Sequence, residues 1–311
     1  MNAMILAAGL GTRLRPYTLI RPKPLFPVLG RPLLKLIIAR LRAAGCDRIV
    51  VNAHHLREQF GPLLADEPDV VVQHEAAVLG TGGGLRRALE SFGTEPVLVV
   101  NGDIYHTIDL SEVYRCHCAG GRGVTMVLHD QPRFNTVRVN EVDEVRGFDR
   151  PDLQGAAPAP ASGERRLAYT GIQVIDPELL RAVTPDTPSC IIDCYRRFLG
   201  RGGTIGGQVA EGCFWTDMGT PADYLELHGG LLTGRIPAWP EIAGAAGAGP
   251  FHLPASAAVG ERVELRDWVC LGDHVRVGDQ AVLQRVVAWD GANIAPGTRL
   301  TDTIVTGARR A

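Results

Sequence analysis

Met4-Ile5-Leu6-Ala7-Ala8-Gly9-Leu10-Gly11-Thr12-Arg13-Leu14-Arg15-Pro16 is the stretch that decides the fold. Its first five residues form a short apolar run, the pattern of a buried strand. The glycines that follow predict a tight turn whose backbone N–H groups can cradle an anion. Pro22-Lys23-Pro24 comes a few residues later. Arg13 brings a planar guanidinium fork suited to bidentate phosphate contacts, and Lys23 a compact point charge. Lysine is scarce in this chain: Lys23 and Lys35 are its only two, against thirty arginines. A strand, a glycine turn and two unlike cations predict a polyphosphate site.

Further strand-like runs follow at Arg48–Asn52, Val70–Gln73, Val97–Asn101 and Val124–Leu128. Between them, Leu33 to Ala44 carries apolar residues at helical spacing, with Pro32 before it and Gly45 after. Those are helix punctuation marks. A second helix is predicted from Gly82–Gly84 to Phe92. Strands alternating with helices imply an α/β fold, a Rossmann-like, mostly parallel sheet covered by helices. Ligands of such sheets bind beyond the carboxyl ends of the strands. Gly9–Arg13 and Asn101-Gly102-Asp103 both sit at such ends.

The bulk numbers exclude several classes of function. The 311 residues are long enough for two domains, and 45% hydrophobic with 21% charged residues is ordinary for a globular protein. A formal charge of −2 gives no electrostatic footprint for nucleic acid or an anionic membrane. No apolar run approaches the roughly 18–20 residues of a membrane span. The N-terminal run has no basic segment before it and no cleavage site after it, so it reads as a strand and not a signal peptide. Seven scattered cysteines, including Cys116-His117-Cys118 and Cys190 with Cys194, match neither zinc spacing nor a disulfide framework. Reduced thiols in a cytoplasmic protein are the expectation.

Asp152 to Gly163 is rich in Ala, Pro and Gly and reads as a mobile loop. Residues 243–250, Ala-Gly-Ala-Ala-Gly-Ala-Gly-Pro, read as a linker between a domain at 1–242 and another at 251–311. Beyond it, positions 259, 265, 271, 277, 283 and 289 hold Val, Leu, Leu, Val, Leu and Trp. A second register at 257, 263, 269, 275, 281 and 287 is also apolar, and the phase slips by one residue after Trp289. A six-residue period with turn glycines predicts a short left-handed parallel β-helix of two or three coils. Its open ends need cover, from the first domain or from a second copy of the chain. A homo-oligomer through this tail is therefore an expectation.

Neither common phosphate motif fits the N-terminal loop. The Rossmann fingerprint needs a third glycine where Leu14 stands, and a Walker A loop needs Gly-Lys-Ser/Thr. The sequence instead resembles the sugar-1-phosphate nucleotidyltransferase family, whose signature is Gly-x-Gly-Thr-Arg-Leu-x-Pro followed by Pro-Lys-Pro. The resemblance recurs in order. Leu79-Gly80-Thr81-Gly82-Gly83 resembles the family's nucleoside-side loop, and Val100-Asn101-Gly102-Asp103 its metal-binding strand end. Thr170-Gly171-Ile172 resembles the strand lining the sugar pocket, and Trp215-Thr216-Asp217-Met218-Gly219-Thr220 the motif with a second metal-ligand aspartate. Roughly residues 1–235 are covered.

The resemblance implies roles for individual residues. Arg13 would hold the departing pyrophosphate, and Lys23 would sit near the α-phosphate and the incoming sugar phosphate. Asp103 would be catalytic through Mg²⁺, which it would share with Asp217, a hard cation suited to carboxylate and phosphate oxygens. Leu6, Ala8, Gly9, Gly11, Thr12, Arg13, Glu75, Gly80 and Thr81 would line the nucleotide side. Asn101, Gly102, Asp149, Arg150, Thr170 and Gly171 would line the sugar-phosphate side. A phosphate monoester is already largely ionised at neutral pH, so no general base is required. The adjacent His54 and His55 point apart and suggest no metal site. A lone aspartate after a strand is most often a cap or turn residue; at Asp103 the Asn-Gly-Asp context and the upstream phosphate motif weigh towards the metal. For Glu75 a solvated loop carboxylate is the competing reading.

One departure stands out. Relatives often carry Glu-Lys-Pro after Gly-Phe, whereas this chain has Gly147-Phe148-Asp149-Arg150-Pro151. The carboxylate is one methylene shorter and the cation is forked, and Arg and Lys are not interchangeable at a phosphate site. A catalytic domain with a short β-helical tail resembles the mannose-1-phosphate guanylyltransferase branch. Thr81-Gly82-Gly83-Gly84 is closer to the N-acetylmuramate-1-phosphate uridylyltransferase and heptose-1-phosphate guanylyltransferase branches. Two readings of other classes are a non-catalytic nucleotide-sugar-binding subunit and acyl transfer in the tail. Intact Arg13, Lys23, Asp103 and Asp217 weigh against the first, and only His252 and His274 are available for the second.

Overall fold

The computed structural model describes residues 1–149 and 161–307. The chain divides into two compact units, neither continuous in sequence. The first is Met1–Gly9 with Arg40–Trp215, and the second Leu10–Ala39 with Thr216–Ala311.

The first unit is built on strands β1 (Asn2–Leu6), β2 (Arg48–Ala53), β3 (Val70–His74), β4 (Val97–Asn101), β5 (Val124–His129), β6 (Asn135–Val139), β7 (Val145–Phe148), β8 (Arg165–Ile175) and β9 (Gly206–Val209). The main path of the sheet runs β7-β6-β8-β4-β1-β2-β3, with β5 pairing with β8 and β9 with β5. Strands β4, β1, β2 and β3 are parallel and in register, so Leu6, Asn52 and Asn101 end at one level. Ala3, Met4, Ile5 and Val97 to Val100 are fully buried. Burial on both faces is why these strands read as continuous apolar runs. The expected parallel sheet is therefore present at the centre, and the whole is mixed, because β8 runs antiparallel to β4, β5 and β6. β1 stops at Leu6, two residues before its apolar run ends, because the Ala7 N–H donates to the Asn52 side chain at 2.7 Å.

Helices α1 (Leu33–Ala43), α2 (Gly80–Ala88), α3 (Leu110–Gly120) and α4 (Ile191–Gly200) follow. The Asp109 carboxylate caps α3 by accepting from the Ser111 and Glu112 N–H groups, and Gly121 ends it in the left-handed conformation. Met4, Val50, Leu85, Phe92, Val99, Met126, Ile175 and Tyr195 share one core under the sheet. Of the stretch Asp152–Gly163, only residues 161–163 lie within the described residues.

The second unit holds helix α5 (Pro221–Leu232) and three parallel strands, β10 (Glu264–Leu271), β11 (Val282–Ala288) and β12 (Arg299–Val305). A second parallel ladder joins the short strands at 258–259, 276–277 and 293–294. Residues 243–246, within the stretch read as a linker, form one helical turn. Partners in the tail lie eighteen residues apart at Glu264–Val282 and seventeen apart at Val269–Val286. The offset changes where Asp267 and Trp268 together oppose the single residue Arg285, a β-bulge. Left-handed residues recur at Arg262, Gln280 and Gly297, at Asp267, Arg285 and Asp302, and at His274 and Gly291. These left-handed residues thus recur at matching places along the ladders.

This bulge corrects one expectation. Phase slips before Trp289, not after it. Ala288 takes the interior place beside Leu283, Val286 and Ile294, and Trp289 falls outside that core.

Candidate active site

The first unit gathers its polar residues at the carboxyl ends of the parallel strands. The Leu6 carbonyl accepts from the Gly102 N–H at 2.9 Å, tying the end of β1 to the turn after β4. Ala8 is buried and Gly9 exposed; a Cβ on Gly9 would meet nothing within 4 Å. The backbone there faces open space, as an anion cradle requires. Asp103 follows in the same turn as Gly102 and is partly exposed.

Glu75 is fully buried, so the solvated reading of this residue fails. Asn52 connects it to β1. The Ala7 N–H donates to Asn52 Oδ1 at 2.7 Å, and Asn52 Nδ2 donates to Glu75 Oε1 at 2.8 Å. The other carboxylate oxygen, Oε2, accepts from the Leu79 N–H at 3.2 Å. One buried relay thus joins the start of the glycine turn to the start of α2. Sequence reasoning missed Asn52, although an amide inside the apolar run Ile49-Val50-Val51-Asn52-Ala53 was the available signal.

The glycines of α2 have a packing reason. A Cβ on Gly80 would lie 2.6 Å from the Ser189 carbonyl oxygen, on Gly83 2.7 Å from that of Thr187, and on Gly84 2.8 Å from Asn52 Nδ2. Residues 187–191 press against the helix: Ser189 N–H donates to the Leu79 carbonyl, Gly82 N–H to the Ser189 carbonyl, and Ile191 N–H to Thr81 Oγ1. Thr81 is therefore a fixed part of this clasp.

Across the sheet, Thr170 and Gly171 lie in a bulge of β8, where its register with β5 shifts between Tyr169 and Gln173. The buried Thr170 hydroxyl donates to the Val127 carbonyl at 2.8 Å, and Trp215 Nε1–H donates to the Thr170 carbonyl at 2.7 Å. Gly171 has φ of 81°, and a Cβ there would meet Asn101 Nδ2 at 2.5 Å. Only glycine lets the bulge close over Asn101. The Asp149 carboxylate lies between two guanidinium groups, 3.3 Å from Arg138 Nε and 2.6 Å from Arg166 Nε. Arg150 lies outside the described residues.

In the second unit, Gly11 adopts the left-handed conformation and opens a 3₁₀ turn over Thr12–Leu14. A Cβ on Gly11 would meet Thr18 Cγ2 at 2.7 Å, and Thr18 Oγ1 donates to the Gly11 carbonyl at 3.0 Å. Thr12 and Arg13 are exposed, while Lys23 is buried to within 7%. Arg13 reaches Asp217 Oδ2 at 3.4 Å. A Cβ on Gly219 would crowd both partners, at 2.7 Å from Asp217 Oδ2 and 2.9 Å from the Arg13 guanidinium. Gly219 keeps that pair open, a role not read from the sequence.

Among the described residues no group of three or more His, Cys, Asp or Glu side chains is arranged to hold a metal. Mg²⁺ does not need one, since it binds through one or two carboxylates with water and substrate phosphates completing its shell. Asp217 Oδ1 is buried without a hydrogen-bond partner. A buried carboxylate oxygen without a hydrogen-bond donor fits a hard cation.

Comparison with known proteins fits this arrangement. The family model for nucleotidyl transferases matches residues 2–234. The N-acetylmuramate alpha-1-phosphate uridylyltransferase of Caulobacter vibrioides is 33% identical over 235 residues, which are 70% of this chain and 92% of that protein. The mannose-1-phosphate guanylyltransferase of Mycobacterium tuberculosis is 26% identical over 305 residues, 96% of this chain and 82% of that protein. Among solved structures, HddC from Yersinia pseudotuberculosis shares the fold with a TM-score of 0.60 at 21% identity, over 73% of this chain and 97% of its own. No helix among the described residues is long and apolar enough to cross a membrane. The ordered glycine loops, the strand-end aspartate and the matched length place this chain in the nucleotidyl transferase family, among the sugar-1-phosphate nucleotidyltransferases.

Proposed function

We propose that the chain joins a nucleoside triphosphate to a sugar 1-phosphate and releases pyrophosphate, with a guanine nucleotide and mannose 1-phosphate as its preferred pair. One observation carries the chemistry: Arg13 is held by Asp217, whose second oxygen is buried and unpaired. In the proposed step a sugar-phosphate oxygen attacks the α-phosphorus in line. The bond from that phosphorus to the bridging oxygen breaks, and pyrophosphate leaves with the electron pair. Arg13 binds the leaving phosphates, and Lys23 orients the attacking one. Mg²⁺, held through Asp103 and Asp217, would neutralise charge on the phosphates. The glycine backbone at Gly9 leaves room for the chain of phosphates, and Asn101 under Gly171 fixes one wall of the sugar side.

The guanylyl reading is supported by the 26% identity over 96% of this chain, tail included, against 25% over 99% for a UTP–glucose-1-phosphate uridylyltransferase of Synechocystis. We read that tail as a short parallel β-helix of the hexapeptide kind, from its recurring left-handed residues and its ladder offsets. The alternative, a uridylyltransferase acting on N-acetylmuramate 1-phosphate or another hexose 1-phosphate, is supported by the 33% identity and by Thr81-Gly82-Gly83-Gly84.

A pyrophosphate-release panel of nucleoside triphosphates crossed with sugar 1-phosphates decides between them. Turnover should need Mg²⁺ and stop with EDTA. Asp103→Ala and Lys23→Ala should each lower kcat/KM at least about 100-fold without loss of folding. Near wild-type activity in either variant would sink the mechanism. Absence of turnover on every pair, with a nucleotide sugar still bound, would favour a non-catalytic binding subunit.

A further inference from the structure

Trp289 belongs to the tail, beyond residues 2–234 that the family model matches. It is buried to within 2%, yet it is absent from the tail's own core. Its surroundings are the residues on either side of Lys23. The indole ring lies 4.7 Å from the Phe26 ring and 6.2 Å from that of Tyr17, and the Arg21 guanidinium sits 4.9 Å over its face. Offset and edge-to-face aromatic pairs, and a cation over an indole, are each attractive.

Hydrogen bonds extend this contact along the segment. Trp289 Nε1–H donates to Tyr224 Oη at 3.2 Å, and the Tyr224 hydroxyl donates to the Pro27 carbonyl. One turn further along α5, His228 Nε2 accepts from the Leu29 N–H at 3.4 Å, while its Nδ1–H donates to the Tyr224 carbonyl at 2.9 Å. Burial lowers the His228 pKa to about 4, which keeps the ring neutral and leaves Nε2 free to accept. Leu29 itself stands in the left-handed conformation, at φ of 46°, so this tight turn needs an external hold. Tyr17, Arg21, Phe26, Pro27 and Leu29 thus all take their positions from α5 and Trp289, with Lys23 in their midst.

We infer that Trp289 is a positioning residue for the loop that carries Arg13 and Lys23, so that the tail forms part of the mount for the substrate-binding cations. This rests on the proposed roles of those two residues. The bulge at Asp267–Trp268 gives the device its origin: the one-residue change of offset puts small Ala288 inside the coil and turns Trp289 out toward the loop.

The test uses the full-length protein and two readouts. Lys23 and Lys35 are the only lysines, so an amine-reactive ester followed by mass spectrometry reports Lys23 exposure against an internal standard. Trp289→Ala should raise the ratio of Lys23 to Lys35 labelling and lower kcat about 10- to 100-fold, the cost of misplacing a reacting group by about an ångström. Trp289→Phe keeps a ring against Phe26 and Tyr17 and should restore most of both. Should Trp289→Ala fail to fold, Arg21→Ala, which removes only the cation over the indole, should shift both readouts in the same direction. Unchanged labelling in the folded variants overturns the inference, and so does unchanged kcat. If the wild type turns over no substrate pair, the proposed reaction falls, while the labelling ratio still decides whether Trp289 holds the loop.

Discussion

Glu75 accepts hydrogen bonds on Oε1 from Asn52 Nδ2 and, at 3.5 Å, from Gln73 Nε2, and on Oε2 from the Leu79 N–H, in a place without solvent. The Ala7 N–H fixes the orientation of Asn52, because it requires the amide oxygen on its own side. Both sides of residue 75 must therefore be acceptors. A glutamine would set its NH₂ against one donor or the other, and a buried donor left unpaired costs about 1–3 kcal/mol. Glu75→Gln should thus destabilise the fold by that amount in urea titrations and weaken nucleotide binding, although it is nearly isosteric. An unchanged unfolding free energy would refute the donor count. This role was not legible in the sequence. The resemblance puts Glu75 on the nucleotide side, and nothing local to residues 73–80 shows that Asn52, on another strand, faces the carboxylate.

Helix α2 begins Gly80-Thr81-Gly82-Gly83-Gly84, a poor composition for a helix. Replacing an interior helix glycine by alanine ordinarily stabilises by about 0.5–1 kcal/mol. In α2 the sign should reverse, because a Cβ on Gly83 would lie 2.7 Å from the Thr187 carbonyl oxygen. Overpacking against backbone costs about 1–3 kcal/mol. Gly83→Ala is expected to lower the unfolding midpoint. Gly120→Ala, at the end of α3 where nothing lies within 4 Å, should leave it unchanged or raise it. Equal effects of the two substitutions in thermal melts would show that the clasp over α2 gives way easily. The existence of α2 was readable from Leu85 and Leu89; its start at Gly80, two residues before Gly82, was not. The segment 187–191 that explains its glycines lies about a hundred residues away in the chain.

At the scale of the whole molecule, the second unit combines residues 10–39 with residues 216 onward. The composition break at residues 243–250 suggests a cut that would leave a complete catalytic domain behind. Cutting there removes Trp289 from Phe26, Tyr17 and Tyr224 and exposes a buried aromatic cluster. A chain ending at Gly247 should therefore lose its cooperative thermal transition or label Lys23 as readily as an unfolded control. A truncated chain with the wild-type transition and labelling ratio would support the division into domains at 1–242 and 251–311.

Sequence alone determined what depends on neighbours along the chain. Strands β1, β2 and β4 were readable because each is buried on both faces, and the glycine turn because it, Arg13 and Lys23 occupy one short stretch. The six-residue period marked the recurring apolar positions of the tail's parallel strands for the same reason. Tertiary structure decided what depends on partners far away in sequence: the antiparallel strand β8, the burial of Glu75 by Asn52, the capture of Asp149 by Arg138 and Arg166, and the partner of Trp289. Periodicity records which face of an element is covered. It does not record by what, and in a close-packed interior a one-residue change of offset, such as the bulge of Asp267 and Trp268 opposite Arg285, is enough to change the answer.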